Sequence, residues 1–380
     1  KALRADARAS DDRQKAGKLL GALDGIPVLI KDNIETQNMP TTAGSLALAN
    51  NDTGRDAPLV ARLRAQGAII LGKTNLSEWA NIRSNNSMSG WSAVGGLVKN
   101  PYALDRSACG SSSGSGAAIA ASLAAVAVGT ETDGSVVCPA AMNGLVGLKP
   151  TLGLISRTGV VPISHSRDTP GPIARTVKDA AILFSAMIGS DPADPATKDA
   201  DKHRKDYAAG LSPGALKGMK IGYWKPDMAA DLAARFDKAL DELRAAGAVL
   251  VEVKMPELKG LGEAEGLVLY TELKADMAAY LATTPASVTT KTLTDLIAFN
   301  EAHKEVEMPF FGQETFIKAD KTKGLDDPEY KAAREKSARM AGPEGIDAML
   351  KAGDVQILVT PTYGTPWLRS EEHTSELQSH

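Results

Sequence analysis

Runs of apolar residues separated by polar loops predict alternating strands and helices along this chain. Residues 26–30 are apolar and precede the polar residues 31–33, which predicts a buried strand that ends in a loop. The alanine-rich residues 117–128 predict a buried helix. Residues 219–253 have the strand, helix, strand pattern of a βαβ unit. Further helices are predicted over 2–20, 57–66, 75–80, 179–188 and most of 263–351, and further strands over 68–71 and 356–360.

Between residues 81 and 116 the apolar periodicity gives way to serine, glycine and asparagine. Such a stretch inside a compact domain is either a linker or a functional loop. The predicted helix 117–128 follows at once, which places the glycines and serines at its N-terminus. The sequence shows no internal repeat and no clear interdomain linker, and 191–201 is the best candidate for an ordinary loop. We therefore predict one large α/β domain.

The composition is that of an ordinary globular protein and excludes several classes of protein. Of the 380 residues, 43% are hydrophobic and 23% are charged, unlike the composition of disordered proteins. A net charge of −3 provides no general basic surface for nucleic acid, and no apolar run is long enough to span a membrane. Two cysteines exclude a disulfide scaffold, and no spacing of metal-binding residues indicates a metal. We therefore expect no metal, no cofactor, no nucleic-acid partner and no membrane span.

The two ends of the sequence lead to expectations about its extent. The chain begins at Lys1 and not at a methionine, so a targeting segment could precede it, and a cytoplasmic or a periplasmic location stays open. The polar residues 369–380 resemble the translation of a sequencing-library adapter, and the alternative is an ordinary polar C-terminus. We expect an enzyme domain over 1–368, truncated at both ends, and an unpacked, non-native tail over 369–380.

Three common catalytic patterns fit this sequence poorly. Residues 67–74 match the phosphate-loop pattern GxxxxGK[ST], but the four residues between the glycines are themselves a predicted strand, so we expect Lys73 to be structural. Ser135 lacks the following glycine that a GxSxG nucleophile elbow requires. A Ser-His-Asp triad around His165 is disfavoured, although the sequence does not exclude it.

Three segments carry residue types that can act together. Lys31 ends the predicted strand, residues 109–116 form a serine- and glycine-rich loop before a helix, and residues 129–139 form a second such loop. Each has an ordinary alternative: a lysine at a solvated sheet edge, a flexible linker, and a simple turn. Together they resemble the amidase signature family, in which a lysine in a GIPV-x-(I/V)KD context precedes a GGSSGG-type loop and a GTD-x-GGS-type loop.

The resemblance covers residues 23–367 and points to one branch of the family. The spacing between Ser111 and Ser135 is that of the family. The two valines after Ser135 stand where many members, including components of amidotransferases, carry Ile-Arg, which argues against an amidotransferase. Three sequences look like those of the peptide amidase branch: 100–106, 129–135 and 341–347.

The resemblance implies a fold and a set of site residues. The fold is α/β, a single large domain with a central twisted mixed β-sheet that helices cover on both faces. The family pattern assigns Ser135 as the nucleophile, Ser111 as a bridging serine that follows a cis peptide bond, and Lys31 as the base. It gives Ser112 a supporting role. It implies an oxyanion hole formed by the backbone amides of Thr132, Asp133, Gly134 and Ser135.

General chemistry agrees with these assignments. A serine hydroxyl is a poor nucleophile until a base takes its proton. Lysine is a base only when neutral, and since its reference pKa of ~10.4 can fall by up to ~3–5 units on burial, the apolar strand before Lys31 suits this role. Asp32 should point away from Lys31, because neighbouring residues of a strand face opposite sides. Cys109 and Cys138 flank the two serines, as separate buried residues or as a pair, and a Cα–Cα distance beyond ~7 Å would exclude a disulfide.

We predict an amidase that hydrolyses a carboxamide through an acyl-enzyme on Ser135. The preferred substrate is the C-terminal amide of a peptide. More broadly, the substrate is a peptide amide or a small-molecule amide. The alternatives are an A-type component of a glutamine-dependent amidotransferase, a hydrolase of other small amides or fatty amides, and a non-catalytic relative. The sequence does not predict the acyl group, the oligomeric state or the activity of a truncated chain.

Overall fold

The computed structural model describes residues 2–369, which form two compact units. Each unit contains a β-sheet and helices, and the predicted α/β fold class is confirmed. The first unit comprises residues 2–209, 272–322 and 366–369, and the second comprises 210–271 and 323–365.

The strands and helices of the described residues are as follows. The strands are β1 Pro27–Lys31, β2 Ile69–Thr74, β3 Trp91–Ser92, β4 Gly96–Leu97, β5 Val126–Glu131, β6 Val146–Gly147, β7 Thr169–Ala174, β8 Lys220–Tyr223, β9 Val249–Glu252 and β10 Ile357–Val359. The helices are α1 Ala2–Lys15, α2 Pro58–Ala65, α3 Ser113–Ala120, α4 Val137–Met142, α5 Val177–Met187, α6 Ala230–Ala245, α7 Leu261–Leu281, α8 Leu293–Ala302, α9 Lys304–Glu307, α10 Glu314–Asp320, α11 Pro328–Ala341 and α12 Asp347–Gly353.

The main sheet of the first unit is mixed, which confirms the predicted type of sheet. Its strand order is β2, β1, β5, β7, β6. Strand β1 runs parallel to β2 and β5, whereas β7 runs antiparallel to β5 and β6. Because β1, β2 and β5 are parallel, their carboxyl ends meet at one edge of the sheet. The residues that follow these strands are therefore brought together at that edge.

Helices cover both faces of this sheet, as the sequence predicts. On one face, Val28 and Ile30 of β1 pack in a core with Leu63 of α2 and Leu183 of α5. On the other face, Leu29 packs with Ile119 of α3. Residues two apart on a strand share a face, so the Lys31 side chain lies on the same face as that of Leu29, towards α3.

The second unit contains the predicted βαβ unit. Strand β8, helix α6 and strand β9 lie close to the predicted positions, and β8 pairs with β9 in parallel. The late strand predicted over 356–360 is β10, which pairs with β8 in parallel. These elements were predictable because α6 is amphipathic and its flanking strands are short apolar runs.

The prediction of one helix over 117–128 is wrong. Helix α3 ends at Ala120, the chain turns at Ser122 with a φ of 59°, and the following residues form strand β5. All six residues of β5 are buried. A strand that is buried on both faces does not need alternating polar residues, and β5 accordingly begins with the apolar residues Val126, Ala127 and Val128. Periodicity alone cannot separate such a run from a buried helix.

The predicted helix over 75–80 is also absent. The structure has a short 3-10 turn over Glu78–Asn81 instead, in which Trp79, Ala80 and Asn81 have φ values of 49°, 54° and 72°. The left-handed region costs a non-glycine residue roughly 1–2 kcal/mol. Tertiary contacts compensate, since Trp79 N donates to Ala43 O at 2.9 Å and the Trp79 ring packs edge-on against Phe316.

The predicted tail lies outside the described residues from residue 370 onward, and its origin stays a prediction. Arg369, its first residue, donates its backbone N–H to Asp105 O at 3.0 Å. The boundary of the enzyme domain at residue 368 also stays a prediction. Within residues 2–369, no helix combines the length and the apolar composition that a bilayer crossing requires.

Candidate active site

Lys31 lies at the edge of the sheet where the parallel strands end, and its side chain is fully buried. Its Nζ is 2.7 Å from Ser111 Oγ, 2.9 Å from Thr130 Oγ1 and 3.2 Å from Thr130 O. Asp32 turns elsewhere, as expected, since its carboxylate accepts from the Thr42 hydroxyl and pairs with Lys73. The structure therefore places the amine of Lys31 against hydroxyl and carbonyl oxygens.

Ser111 and Ser112 end the serine- and glycine-rich loop, immediately before α3. The peptide bond between Gly110 and Ser111 is cis. The carbonyl of Ser111 accepts from Ser77 N at 3.1 Å, which attaches this loop to the segment after β2. The Ser112 hydroxyl donates to Thr130 O and accepts from Thr130 N, both at 3.2 Å. Ser112 thus holds the Ser111 loop against β5, which agrees with the supporting role expected for it.

The second loop, residues 132–135, follows β5 and meets the first at Ser135. Ser112 N donates to Ser135 O at 3.2 Å, so the residue next to Ser111 contacts the backbone of Ser135. Ser135 is 6% exposed. The structure therefore brings Lys31, Ser111, Ser112 and Ser135 to one edge of the sheet, although these residues are distant in sequence.

The backbone amides at the end of this loop fall into two groups. The N–H groups of Val136 and Val137 both donate to Glu131 Oε2, at 2.8 and 2.9 Å. The N–H groups of Thr132, Gly134 and Ser135 donate to no acceptor within residues 2–369. These donors are therefore available to a bound oxygen. Gly134 has a φ of +77°, a conformation that residues with a side chain rarely adopt.

Asp168 holds the start of this loop from the other side. The Thr132 hydroxyl donates to Asp168 Oδ1 at 2.6 Å, while Asp168 Oδ2 accepts from Ile163 N and Ser164 N at 2.8 and 2.9 Å. Burial raises the pKa of Asp168 to about 6, against the opposing effect of these hydrogen bonds. The carboxyl group thus connects residues 163–168 to the loop that presents the unpaired amides.

The two cysteines form a disulfide, which answers the question that the sequence left open. The Cα atoms of Cys109 and Cys138 are 6.0 Å apart, and both residues are buried. Cys109 precedes the Ser111 loop, and Cys138 lies in the first turn of α4 after Ser135. The bond therefore connects the two serine-bearing segments covalently.

His165 lies in an acidic cluster that the sequence did not predict. Its Nδ1 is 2.9 Å from Asp276 Oδ2, and its Nε2 is 3.4 Å from Glu272 Oε1. Glu272 also accepts from the Ser164 hydroxyl at 2.5 Å. His165, Asp168 and Asp276 line a cavity of about 530 Å³ in the first unit. His165, Glu272 and Asp276 offer metal-type ligand atoms, but the carboxylates of Glu272 and Asp276 already accept hydrogen bonds from the backbone amides of Ser166 and His165.

The phosphate-loop match is part of a strand, as expected. Residues 69–74 form β2, so the segment between the two glycines is not a loop. Lys73 Nζ is 3.0 Å from Asp32 Oδ1 and 2.7 Å from Ile34 O. Lys73 is therefore a structural lysine that joins β2 to the segment after β1.

Several polar residues around the site were not singled out from the sequence. Thr130 accepts from Lys31 and from Asn33. Glu131 accepts from the amides of Val136 and Val137, and Asp168 accepts from the hydroxyl of Thr132. Asn33 lies two residues after Lys31, and Thr130 lies near the end of β5, so their position in the polar ends of two strands was a usable signal. Asp168 had no such signal, because it acts from a different segment of chain.

Comparison with known proteins gives matches along the whole chain. The family model described as Amidase matches residues 1–380. A probable amidase of Arabidopsis thaliana is 41% identical over 350 residues, which are 90% of this chain and 67% of that protein. The A-type component of the glutamyl-tRNA(Gln) amidotransferase of an Azoarcus species is 43% identical over 263 residues, which are 67% of this chain and 52% of that protein. The chain thus spans about half to two thirds of the length of these relatives.

A solved structure shares the fold closely. The native peptide amidase of Stenotrophomonas maltophilia superimposes with a TM-score of 0.93 at 50% sequence identity. The match covers 97% of this chain and 76% of that one.

Proposed function

Because the chain belongs to the amidase family of hydrolases that act on amide C–N bonds, we propose that it hydrolyses a carboxamide through an acyl-enzyme on Ser135. The hydrogen bond between Lys31 Nζ and Ser111 Oγ, 2.7 Å long and fully buried, carries this proposal. It places a base beside a serine whose loop contacts Ser135. A Ser-Ser-Lys triad is typical of the family.

In the proposed mechanism, neutral Lys31 accepts a proton from Ser111 while Ser111 accepts the proton of Ser135. Burial disfavours the ammonium form of a lysine because it removes the charge from water, and the Lys31 side chain is fully buried. Ser135 Oγ then attacks the carbonyl carbon of the amide. The C–N bond breaks as the proton returns through Ser111 to the departing nitrogen, and ammonia or an amine leaves.

The oxygen of the tetrahedral intermediate carries the negative charge that the site must stabilise. We assign this task to the backbone amides of residues 132–135. Those of Thr132, Gly134 and Ser135 have no acceptor in the described chain, which supports the assignment. Loss of one such donor typically costs ~2.7–4 kcal/mol of transition-state stabilisation.

A water molecule completes the reaction. It gives a proton to Lys31 through Ser111 as its oxygen attacks the acyl carbon. When the ester bond to Ser135 Oγ breaks, that proton returns through Ser111 to Ser135 Oγ, and a carboxylic acid leaves. The reaction balances as amide plus water to acid plus amine, and no step in this sequence calls for a metal or a redox cofactor.

We propose the C-terminal amide of a peptide as the substrate. The similarity to peptide amidase over nearly the whole chain supports this choice. The similarity to the A-type components of amidotransferases favours a glutamine-dependent reaction as the second candidate. Val136 and Val137 weigh against it, since the family pattern has Ile-Arg at these two positions in many such components.

A panel of amides tests both the reaction and the substrate. Ammonia release is measured with peptide amides, free glutamine and fatty amides, for the parent and for Ser135→Ala. We expect the parent to prefer peptide amides and the variant to lose at least ~10³-fold of the rate. Preference for glutamine would support the amidotransferase, and an unchanged rate in Ser135→Ala would exclude the mechanism.

A further inference from the structure

Thr130 connects Lys31 to a residue that the mechanism above does not use. Its Oγ1 accepts from Lys31 Nζ and from Asn33 Nδ2, both at 2.9 Å. All three residues are less than 8% exposed. Because both nitrogens lie 2.9 Å from one oxygen, they lie within about 6 Å of each other.

The number of hydrogen bonds that the Thr130 hydroxyl can accept determines where its hydrogen points. A threonine hydroxyl has two lone pairs and one hydrogen. With both lone pairs accepting N–H groups, from Asn33 and from Lys31, the hydrogen of Thr130 points away from Lys31. The amine of Lys31 also lies 3.2 Å from Thr130 O. When two of its hydrogens face the two Thr130 oxygens, the lone pair of the neutral amine faces Ser111 Oγ.

We propose that Asn33 is a positioning residue that acts on Lys31 through Thr130. It orients the Thr130 hydroxyl as an acceptor, which directs the lone pair of Lys31 at Ser111. This inference rests on the proposed function, because it assumes that Lys31 serves as a base.

A small cavity beside Asn33 bears on the orientation of its amide. The cavity has a volume of about 10 Å³, and Asn33, Thr130, Thr132 and Asp168 are among its lining residues. Asn33 Oδ1 is buried and has no hydrogen-bond partner within the described part of the chain. The volume suits one water molecule. A water bound here would donate to Oδ1 and keep Nδ2 directed at Thr130.

The charged groups at this edge of the sheet are held by other partners. Asp32 pairs with Lys73, and Glu131 accepts the amides of Val136 and Val137. From the segment packed against the cavity, Asp168 accepts from Thr132, while Arg157 pairs with Asp194. A further carboxyl group, that of Asp133, belongs to the loop after β5. A carboxylate at position 33 would therefore add a charge where the structure now has an amide.

The test compares Asn33→Asp and Asn33→Ala with the parent, using the amide that the parent hydrolyses best. Asn33→Asp favours the ammonium form of Lys31, so the acid limb of kcat/KM should move up by about one pH unit or more. Asn33→Ala leaves the Thr130 hydrogen free to compete for the lone pair, so kcat should fall ~10- to 100-fold while KM changes less than ~3-fold. The matched control is Asn51→Ala, since Asn51 is also buried and bonds Thr41 O and Tyr280 OH.

Variants of Thr130 keep the test decisive if Asn33→Ala folds poorly. Thr130→Ser retains the hydroxyl and should keep kcat within ~3-fold of the parent, whereas Thr130→Val should fall like Asn33→Ala. A parental acid limb in Asn33→Asp together with parental kcat in Thr130→Val would overturn the inference. If Ser135→Ala is inactive while these variants resemble the parent, only this inference fails. If Ser135→Ala is active, the proposed function fails.

Discussion

Two lysines, one fully buried and one largely buried, lie on neighbouring parallel strands, and their surroundings differ. Lys31 ends β1 with its amine against Ser111 Oγ and the two oxygens of Thr130. Lys73, near the end of β2, has its amine 3.0 Å from the Asp32 carboxylate. Burial lowers the pKa of Lys73, and the Asp32 carboxylate opposes this effect. The amine of Lys73 is thus paired with a carboxylate, whereas that of Lys31 contacts hydroxyl and carbonyl oxygens.

The largest expected effect comes from removing the amine of each lysine in turn. Lys31→Met should lower kcat/KM for the preferred amide by at least ~10³-fold, because the base is lost. Lys73→Met should keep the rate within ~5-fold but lower the free energy of unfolding by ~2–4 kcal/mol, because Asp32 is left buried and unpaired. Ammonia release and urea unfolding measure the two effects. Equal losses of activity in both variants would show that the surroundings do not separate the two lysines.

A second test concerns the backbone amides of residues 132–135, which are proposed to bind the oxyanion. Gly134→Ala and Gly54→Ala introduce a Cβ at φ values of +77° and +64°, and neither Cβ meets an atom within 4 Å. The backbone cost should be similar, roughly 1–2 kcal/mol. We expect kcat to fall ~10²-fold in Gly134→Ala and to stay within ~2-fold in Gly54→Ala. Parallel thermal unfolding checks that both variants are equally destabilised, and a shared kcat would argue against the assigned donors.

The smallest expected effect concerns Asp168, the buried acid at this edge of the sheet. The pKa of Asp168, raised by burial to about 6, exceeds the ~3.9 of an unfolded chain. Between these pH values the unfolded chain has lost the proton that the folded chain keeps, so stability falls as pH rises from about 4 to 6. Asp168→Asn should lack this decrease, which is on the order of 1–3 kcal/mol.

Urea unfolding of the parent and of Asp168→Asn at several pH values measures this difference. Parallel pH curves for the two proteins would mean that Asp168 titrates at an ordinary pKa. A steeper decrease in the variant would place the titrating group elsewhere.

The position of Lys31 was predictable because it depends on a local sequence pattern. The apolar run before Lys31 and the polar residues after it have the pattern of a buried strand end, and β1 ends at Lys31. The recognition of the amidase family from three such segments is confirmed by the comparisons. The catalytic roles of Lys31, Ser111 and Ser135 stay predictions, since the geometry supports them without testing them.

Other features depend on contacts between distant segments and were not predictable. The run 117–128 fails as a helix because β5 is buried on both faces and shows no alternation. Asp168 and Glu272 take part through pairings that only the folded chain creates. The disulfide was left open because spacing alone does not set the 6.0 Å Cα–Cα distance of Cys109 and Cys138.

The most direct test of the central claim is to locate the acyl group during turnover. The parent is quenched with acid while it hydrolyses an activated ester of the preferred acyl group, and its peptides are mapped by mass spectrometry. The account predicts an added acyl mass on the peptide that contains Ser135, and none in Ser135→Ala. An acyl group on another residue, or turnover by Ser135→Ala at the parental rate, would contradict it.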